Sequence, residues 1–269
     1  MTGDDTGEAD GTRETASDAA TADDAGADPA GSAVPQWDAV FWDIGGVILD
    51  VDSVKRGHRR YVEYLVDEYD LDVPVDEAVD AWRTAVGEHF RERDGTEFRS
   101  ARDGYAKAID AIVGEAVPED EWLPRFREVT GETLEPNPGA REALAELAEM
   151  DVHVGVISDV DTAEGRHILG AFDVREYFDS VTTSEEVGRT KPDPAMFESA
   201  LGAAGVPAER SLMIGDRYRH DAEGAAAVGM SAIAYGADDG EAVDYRVTDL
   251  REVPAIVRRG RVPRNDLLL

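Results

Sequence analysis

The sequence places acidic side chains and a lysine where short apolar runs end. Asp43 directly follows the apolar run 39–42, and Asp216 follows the run 211–214, with Asp221 five residues further on. Hard oxygen donors of this kind are the ligands that Mg²⁺ prefers. A carboxylate, an ammonium group and a divalent cation around one anion are suited to phosphoryl transfer. The candidate site residues are Asp43, Ser158, Asp159, Lys191, Asp216 and Asp221.

The elements that must bring these residues together alternate between strand and helix. Short apolar runs predict strands at 39–42, 152–157, 211–214 and 231–235, and further short strands are predicted at 179–183 and 245–247. Helical patterns lie between most of them. Such alternation predicts an α/β fold with a Rossmann-like parallel sheet, covered by helices on both faces. Ligands in these sheets bind at the carboxyl ends of the strands, so the candidate residues should converge at one edge.

One long insertion interrupts this alternation. Residues 53–132 predict four successive amphipathic helices and no strand, which makes an inserted all-helical block. The segments 37–52 and 133–258 on either side of it form the predicted catalytic core. Residues 1–36 consist mostly of Asp, Thr, Ala, Gly, Ser and Glu with no apolar periodicity, which predicts a disordered acidic tail. Residues 259–269 are interpreted as a C-terminal tail.

Four motifs carry a resemblance to a known family. They lie at residues 41–48, 156–158, 191–193 and 214–216, the last followed by Asp221. Each is weak alone, but in this order and at these strand ends the chain resembles the hydrolases of the haloacid dehalogenase superfamily over about residues 37–250. The helical block falls between the first and second motifs, where this superfamily inserts a helical cap.

The resemblance implies a nucleophile and a metal site. Asp43 is expected to attack phosphorus and to become an aspartyl phosphate, which water then hydrolyses. Asp43, Asp216 and the backbone carbonyl of Gly45 are expected to bind Mg²⁺. Asp221 is expected to bind the metal or to orient its waters. It is also a candidate N-cap of a helix starting near Ala222, and the two roles are compatible.

The resemblance also implies a phosphate site formed by Ser158, Asp159 and Lys191, although an ordinary turn serine remains the alternative for Ser158. Lys191 is expected to stabilise charge at the pentavalent phosphorus. Composition supports a specific role for it, because 24 of the 27 cationic residues are arginine and only three are lysine. A lysine at this place indicates a need for a compact ammonium group rather than a planar guanidinium.

Gly45 departs from the superfamily pattern. Most of its phosphatases have an acid/base aspartate two residues after the nucleophile, and loss of such a group costs about 10²–10⁴ in rate. The chain could therefore be a 2-haloacid dehalogenase, a non-catalytic metal- or phosphate-binding relative, or a phosphatase that tolerates glycine. We favour the third, because the run from Asp43 to Asp52 resembles bacterial α-D-glucose-1-phosphate phosphatases. Asp50, Asp52, Asp159 or a metal-bound water could replace the missing acid.

Charge and composition exclude several other classes. The formal net charge is −32, of which residues 1–36 contribute −8. Such an excess argues against nucleic-acid binding and, with few lysines, favours adaptation to a cytoplasm rich in KCl. Cysteine is absent, which excludes thiol chemistry. No apolar run is long enough to span a membrane, and no secretory signal is recognisable, which predicts a cytoplasmic protein.

Together these observations predict an Mg²⁺-dependent phosphatase. Its partner is expected to be a small phosphomonoester, such as a sugar phosphate or phosphoglycolate. Nothing in the pattern indicates an oligomeric state.

Overall fold

A six-stranded, entirely parallel sheet forms the centre of the protein in a computed structural model that describes residues 36–238 and 240–261. The spatial order of the strands is β3-β2-β1-β4-β5-β6. The strands are β1 (Ala39–Trp42), β2 (His153–Ser158), β3 (Ser180–Thr183), β4 (Ser211–Gly215), β5 (Ser231–Tyr235) and β6 (Tyr245–Val247). The predicted fold class is confirmed. The predicted tails, residues 1–36 and 259–269, lie outside the described residues except for Gln36 and residues 259–261.

Ten α-helices accompany the sheet in the described residues. They are α1 (Val51–Glu68), α2 (Val75–Arg91), α3 (Ala101–Val113), α4 (Glu119–Gly131), α5 (Ala140–Ala148), α6 (Thr162–Ala171), α7 (Ser184–Val187), α8 (Pro194–Ala204), α9 (Gly224–Ala227) and α10 (Val253–Arg259). The helix predicted to start near Ala222 begins earlier, because a π-helical turn over Tyr218–Glu223 precedes α9. None of the described helices is long and apolar enough to cross a membrane.

The alternation of side chains along β1 explains why both faces of the sheet are covered. Val40 and Trp42 join an apolar cluster with residues of α5, α6 and α10 on one face. Ala39 and Phe41 join a second cluster with residues of α8 and α9 on the other face. All four residues are buried, as expected of a central parallel strand.

Helices α1 to α4 form the inserted helical block, which we call the cap. It has its own apolar core, in which the rings of Tyr61, Trp82, Tyr105 and Phe126 pack against one another. Its two connections to the core run side by side, since the amide of Asp50 donates to the carbonyl of Glu135 at 3.0 Å.

Candidate active site

The strand register brings the predicted residues to one edge of the sheet. Trp42 at the end of β1 pairs with Val156 of β2 and with Ile214 of β4, so the three strands end at nearly the same level. Asp43, Ser158 and Asp216 follow these pairs within one or two residues. The order of the strands also reverses about β1, and such a switch point is where open α/β sheets bind ligands.

Asp43 is buried at the centre of this edge and is held through both carboxylate oxygens. Its Oδ1 accepts hydrogen bonds from the amide of Ile44 and the hydroxyl of Ser158, both at 2.8 Å. Its Oδ2 lies 3.0 Å from Nζ of Lys191. Burial raises the pKa of Asp43 to about 6; the Lys191 charge opposes this rise and the Asp221 charge adds to it. The carboxyl group is therefore mostly ionised at neutral pH.

Lys191 is the fully buried cation of the site. Its Nζ also contacts Asp221 Oδ1 at 2.6 Å and donates to the carbonyl of Ile157 at 3.0 Å. Burial alone lowers the pKa of Lys191, but the carboxylates of Asp221 and Asp43 raise it above its ordinary value. A permanently charged ammonium group is thus fixed between two carboxylates, where it can neutralise an incoming anion.

The position of Asp216 near Asp43 and Lys191 depends on a glycine, Gly46, in the turn after β1. Gly46 has a φ of +79°, and a Cβ at that position would stand 2.0 Å from Asp216 Oδ2. Asn137 stabilises the turn around Gly46, because its Nδ2 donates hydrogen bonds to the carbonyls of Gly46 and Val47 at 2.9 and 3.0 Å. Asn137 was not singled out from the sequence, and no motif marks it.

Asp221 lies within the π-helical turn, and its side chain closes that turn. Its Oδ2 accepts a hydrogen bond from the amide of Arg217 at 2.9 Å, while its Oδ1 faces Lys191. A Cβ on Gly215 would stand 2.2 Å from the Asp221 side chain, so glycine is required there for close approach. The predicted N-cap role of Asp221 for a helix starting near Ala222 is wrong, because Arg217 is the N-cap of the π-helical turn and Glu223 is the N-cap of α9.

Asp159 is surrounded by donors. It accepts hydrogen bonds from the amide of Lys191 at 2.8 Å and from Arg217 Nη2 at 3.2 Å, and His220 Nδ1 lies at 3.4 Å. Burial alone raises the pKa of Asp159, but His220 and the charges of Lys191 and Arg217 hold it below its usual range. The Asp159 side chain therefore orients Lys191 and Arg217 as a carboxylate, which disfavours it as a general acid.

The sequence alone assigns no definite role to Arg217. Its guanidinium lies 3.9 Å from Asp43 Oδ2 and 3.9 Å from Asp216 Oδ1, and it is 44% exposed. The residue directly follows the fourth motif, which is the only signal that could have placed it. A partly exposed cation at the mouth of a buried acidic site favours the entry of an anion.

The other two carboxylates that were predicted to replace the missing acid make a helix cap and an ion pair instead. Asp50 caps α1 by accepting from the amides of Asp52 and Ser53 at 3.0 and 3.2 Å. Asp52 is exposed and pairs with Lys55 at 2.8 Å. Gly45 has no heavy atom within 4 Å of a Cβ built on it, so the position where the superfamily has its acid is open space.

The residues fit a hard divalent cation. Asp43, Asp216 and Asp221 each offer a carboxylate oxygen, and these oxygens lie within 4.8 Å of one another. Asp216 Oδ1 is buried and makes no hydrogen bond within the described ranges, which is costly for a carboxylate unless a ligand binds there. The Gly45 carbonyl likewise accepts no hydrogen bond in the part of the chain that the structure describes. Carboxylate and carbonyl oxygens are the donor set that Mg²⁺ takes.

The cap is tied to the loop that carries Lys191. The amide of Phe98 donates to the carbonyl of Gly188 at 3.1 Å, and the amide of Thr190 donates to the carbonyl of Thr96 at 2.8 Å. The Thr96 hydroxyl donates to Asp193 Oδ2 at 2.6 Å. We call these three hydrogen bonds the cap tether.

A second contact joins the cap to the loop after Ser158. The buried carboxylate of Asp161 accepts from the hydroxyl of Ser100 and from the amide of Ala101, at the start of α3. The cap thus contacts two of the loops that form the site.

Comparison with known proteins identifies the family. The family of haloacid dehalogenase-like hydrolases matches residues 37–229, and the chain belongs to it. The family predicted from the four motifs is therefore confirmed.

Individual relatives cover most of the chain. A glyceraldehyde 3-phosphate phosphatase of Methanothermobacter thermautotrophicus is 29% identical over 211 residues, which are 76% of this chain and 88% of the relative. A ribulose-1,5-bisphosphate 5-phosphatase of Halopiger xanaduensis is 25% identical over 218 residues, 78% of this chain and 91% of the relative. Together with the family, these names bear out the prediction of a phosphatase-type hydrolase.

A solved structure shows the same fold. The crystal structure of a HAD phosphatase from Thermococcus onnurineus superposes with a TM-score of 0.63 and 24% identity, covering 84% of this chain and all of that one.

Proposed function

We propose that the protein is a Mg²⁺-dependent phosphatase that hydrolyses a small phosphomonoester through an aspartyl phosphate on Asp43. The observation that carries the proposal is the setting of Asp43. Its carboxylate is buried, contacts Lys191 at 3.0 Å and Ser158 at 2.8 Å, and shares a pocket of oxygens with Asp216 and Asp221. A buried nucleophile beside a fixed cation and a metal-ligand set is suited to phosphoryl transfer.

Each residue has a defined task in the two steps. A carboxylate oxygen of Asp43 attacks phosphorus, the bond from phosphorus to the ester oxygen breaks, and the leaving oxygen takes a proton from a solvent water, which becomes hydroxide. A second water then attacks phosphorus and gives up a proton to that hydroxide. The bond from phosphorus to Asp43 breaks, which regenerates the carboxylate, and inorganic phosphate leaves. Lys191 and Ser158 hold the phosphoryl oxygens through both steps, with Arg217 at the entrance attracting the anionic substrate.

Asp43, Asp216 and Asp221, together with the carbonyl of Gly45, would hold Mg²⁺. When bound, the metal neutralises charge on the transferring phosphoryl group. The buried Asp216 Oδ1 without a hydrogen bond supports this ligand set.

The absence of an acid at Gly45 bears on the choice of substrate. Asp50, Asp52 and Asp159 already have other partners, so protonation of the leaving group is weakly assisted. Substrates with good leaving groups, such as sugar 1-phosphates or aryl phosphates, depend least on that assistance. The relatives named above add triose and pentulose phosphates to the classes to be screened.

The test is phosphate release from an aryl phosphate in the presence of Mg²⁺. We expect Asp43→Asn to abolish release because an amide cannot act as the nucleophile, while the circular dichroism spectrum stays unchanged. Asp80→Asn, at a carboxylate that is 76% exposed on α2, is the matched control and should retain full activity. More than a few per cent of activity in Asp43→Asn would refute the assignment of the nucleophile.

A second assay separates this proposal from the dehalogenase alternative. The wild-type protein should release no halide from 2-haloacids with or without metal. Halide release that needs no metal, with no phosphate release, would establish a dehalogenase instead.

A further inference from the structure

A cavity of about 280 Å³ lies between the cap and the core. Its core wall includes Leu49, from the turn after Asp43, and Asp159, from the loop after Ser158, so both loops that carry site residues contribute to it. Its cap wall includes His58 of α1 and Tyr105 of α3. The cavity therefore borders the two loops that carry Asp43 and Ser158, and it is enclosed on its other side by the cap.

The cavity offers no cation to a second anionic group. Among the described residues that line it, none is lysine or arginine, and three are the carboxylates of Asp159, Asp161 and Glu164. Their partners lie outside the lining: Arg217 is 3.2 Å from Asp159, Arg102 is 3.5 Å from Asp161, and Arg127 is 3.3 Å from Glu164. A second phosphate or a carboxylate in this space would be buried beside like charges without a facing cation, which is strongly unfavourable.

Two uncharged polar groups of the lining have hydrogen-bonding capacity to spare. The rings of His58 and Tyr105 lie 5.2 Å apart. Neither side chain makes a hydrogen bond to another residue of the described ranges. Burial lowers the pKa of His58 to about 4, so its imidazole is neutral at pH 7. A neutral imidazole and a phenol can each donate and accept, which suits hydroxyl and carbonyl groups. The surrounding aromatic and aliphatic side chains suit the carbon skeleton that carries them.

We propose that this cavity selects phosphomonoesters whose leaving group is an uncharged hydroxy or carbonyl compound, with Tyr105 and His58 as specificity-determining hydrogen-bond partners. The proposal rests on the proposed phosphatase function and narrows it. It favours monophosphates of trioses or sugars and disfavours bisphosphates and phosphorylated carboxylic acids, phosphoglycolate among them.

The test compares three substrates with the same three-carbon skeleton. Glycerol 3-phosphate, glyceraldehyde 3-phosphate and 3-phosphoglycerate differ at one carbon, which carries a hydroxyl, an aldehyde or a carboxylate. All are assayed with the full-length protein at one Mg²⁺ and one KCl concentration, beside an aryl phosphate. We expect kcat/KM for the two substrates with an uncharged leaving group to exceed that for 3-phosphoglycerate by at least about tenfold. The reason is that the carboxylate of 3-phosphoglycerate would be buried without a cation.

Two variants show whether the lining residues cause this preference. Tyr105→Phe removes one hydrogen bond and should lower kcat/KM for glyceraldehyde 3-phosphate by about 3- to 10-fold, which reduces the ratio to 3-phosphoglycerate. Tyr69→Phe, at the exposed end of α1, is the matched control and should leave that ratio unchanged. Glu164→Gln leaves Arg127 without its carboxylate partner beside the cavity, so the relative kcat/KM for 3-phosphoglycerate should rise.

The outcomes separate this proposal from the function on which it rests. Phosphate release from the aryl phosphate with equal or reversed preference among the three-carbon substrates would overturn the proposal and leave the phosphatase function standing. Unchanged ratios in both Tyr105→Phe and Glu164→Gln would also overturn it. No phosphate release from any substrate would refute the phosphatase function and this proposal with it.

Discussion

Two adjacent glycines allow a direct test of the proposed metal site, because the structure predicts that Gly45 tolerates a Cβ atom and that Gly46 does not. An alanine Cβ at Gly46 would stand 2.0 Å from Asp216 Oδ2, whereas Cβ contacts below 3.0 Å are essentially never found, so the oxygen must move by 1 Å or more. Metal–ligand distances tolerate only about 0.2 Å. Gly46→Ala should therefore displace Asp216 from the proposed ligand set and weaken Mg²⁺ binding by at least about 10- to 100-fold. The positive φ of Gly46 adds a stability cost of about 1–2 kcal/mol.

Titration calorimetry with Mg²⁺ measures this effect directly and needs no substrate. Gly45→Ala is the matched control, because its Cβ meets no heavy atom within 4 Å and the backbone carbonyl is retained. It should bind Mg²⁺ like the wild-type protein. Wild-type affinity in Gly46→Ala, with the fold verified by circular dichroism, would refute the placement of the metal between Asp216 and the turn after β1.

Three further predictions concern the acid, pH and salt. Gly45→Asp fits the open space at that position and should raise the rate on alkyl phosphates by about 10-fold or more, with little change on aryl phosphates; a loss on both, measured by phosphate release, would contradict the missing-acid interpretation. Since the pKa of Asp43 is raised to about 6 without metal, the group is protonated below that pH. The apparent Mg²⁺ affinity should then fall about tenfold per unit as pH decreases below 6, and Asp43→Asn should lack this dependence in calorimetry. The charge of −24 outside residues 1–36 should make the melting temperature rise steeply with KCl to molar levels; deleting residues 1–36 should change that slope only slightly, and a slope lost on deletion would place the effect in the tail.

The strands and most core helices could be predicted because their signals are local. Strands β1, β2, β4 and β5 are short, mostly apolar runs that end at or before a polar or glycine residue. Helix α8 begins and ends where its proline and its small residues indicate. The π-helical turn before α9 could not be predicted, because it is stabilised by a side chain that reaches back to its own backbone. The Asp221 carboxylate accepts a hydrogen bond from the amide of Arg217, and the spacing of apolar residues does not predict that bond.

The candidate site was predictable to a similar extent. Motif residues at strand ends had to converge once the sheet was parallel, and Asp43, Ser158, Lys191, Asp216 and Asp221 lie together. Residues that contact the site or the cavity from outside the four motifs could not be recognised from the sequence. Asn137 braces the turn after β1 from the far end of the cap insertion. His58 and Tyr105 face the cavity only because four cap helices pack around an aromatic core. Such placements depend on tertiary packing, which a single sequence does not encode locally.

The cap tether limits which substitutions this protein can accept during evolution. Thr96 of the cap bonds to Thr190 and Asp193, on either side of Lys191, although its own side chain takes no part in the chemistry. A substitution in the segment 94–98 should therefore shift the loop that carries the Lys191 ammonium group, and a compensating substitution would have to arise almost a hundred residues away in the sequence. We expect segments 94–98 and 188–193 to be replaceable only together. A chimaera that carries the cap of a relative should therefore be active only if the loop equivalent to residues 188–193 is taken from the same relative.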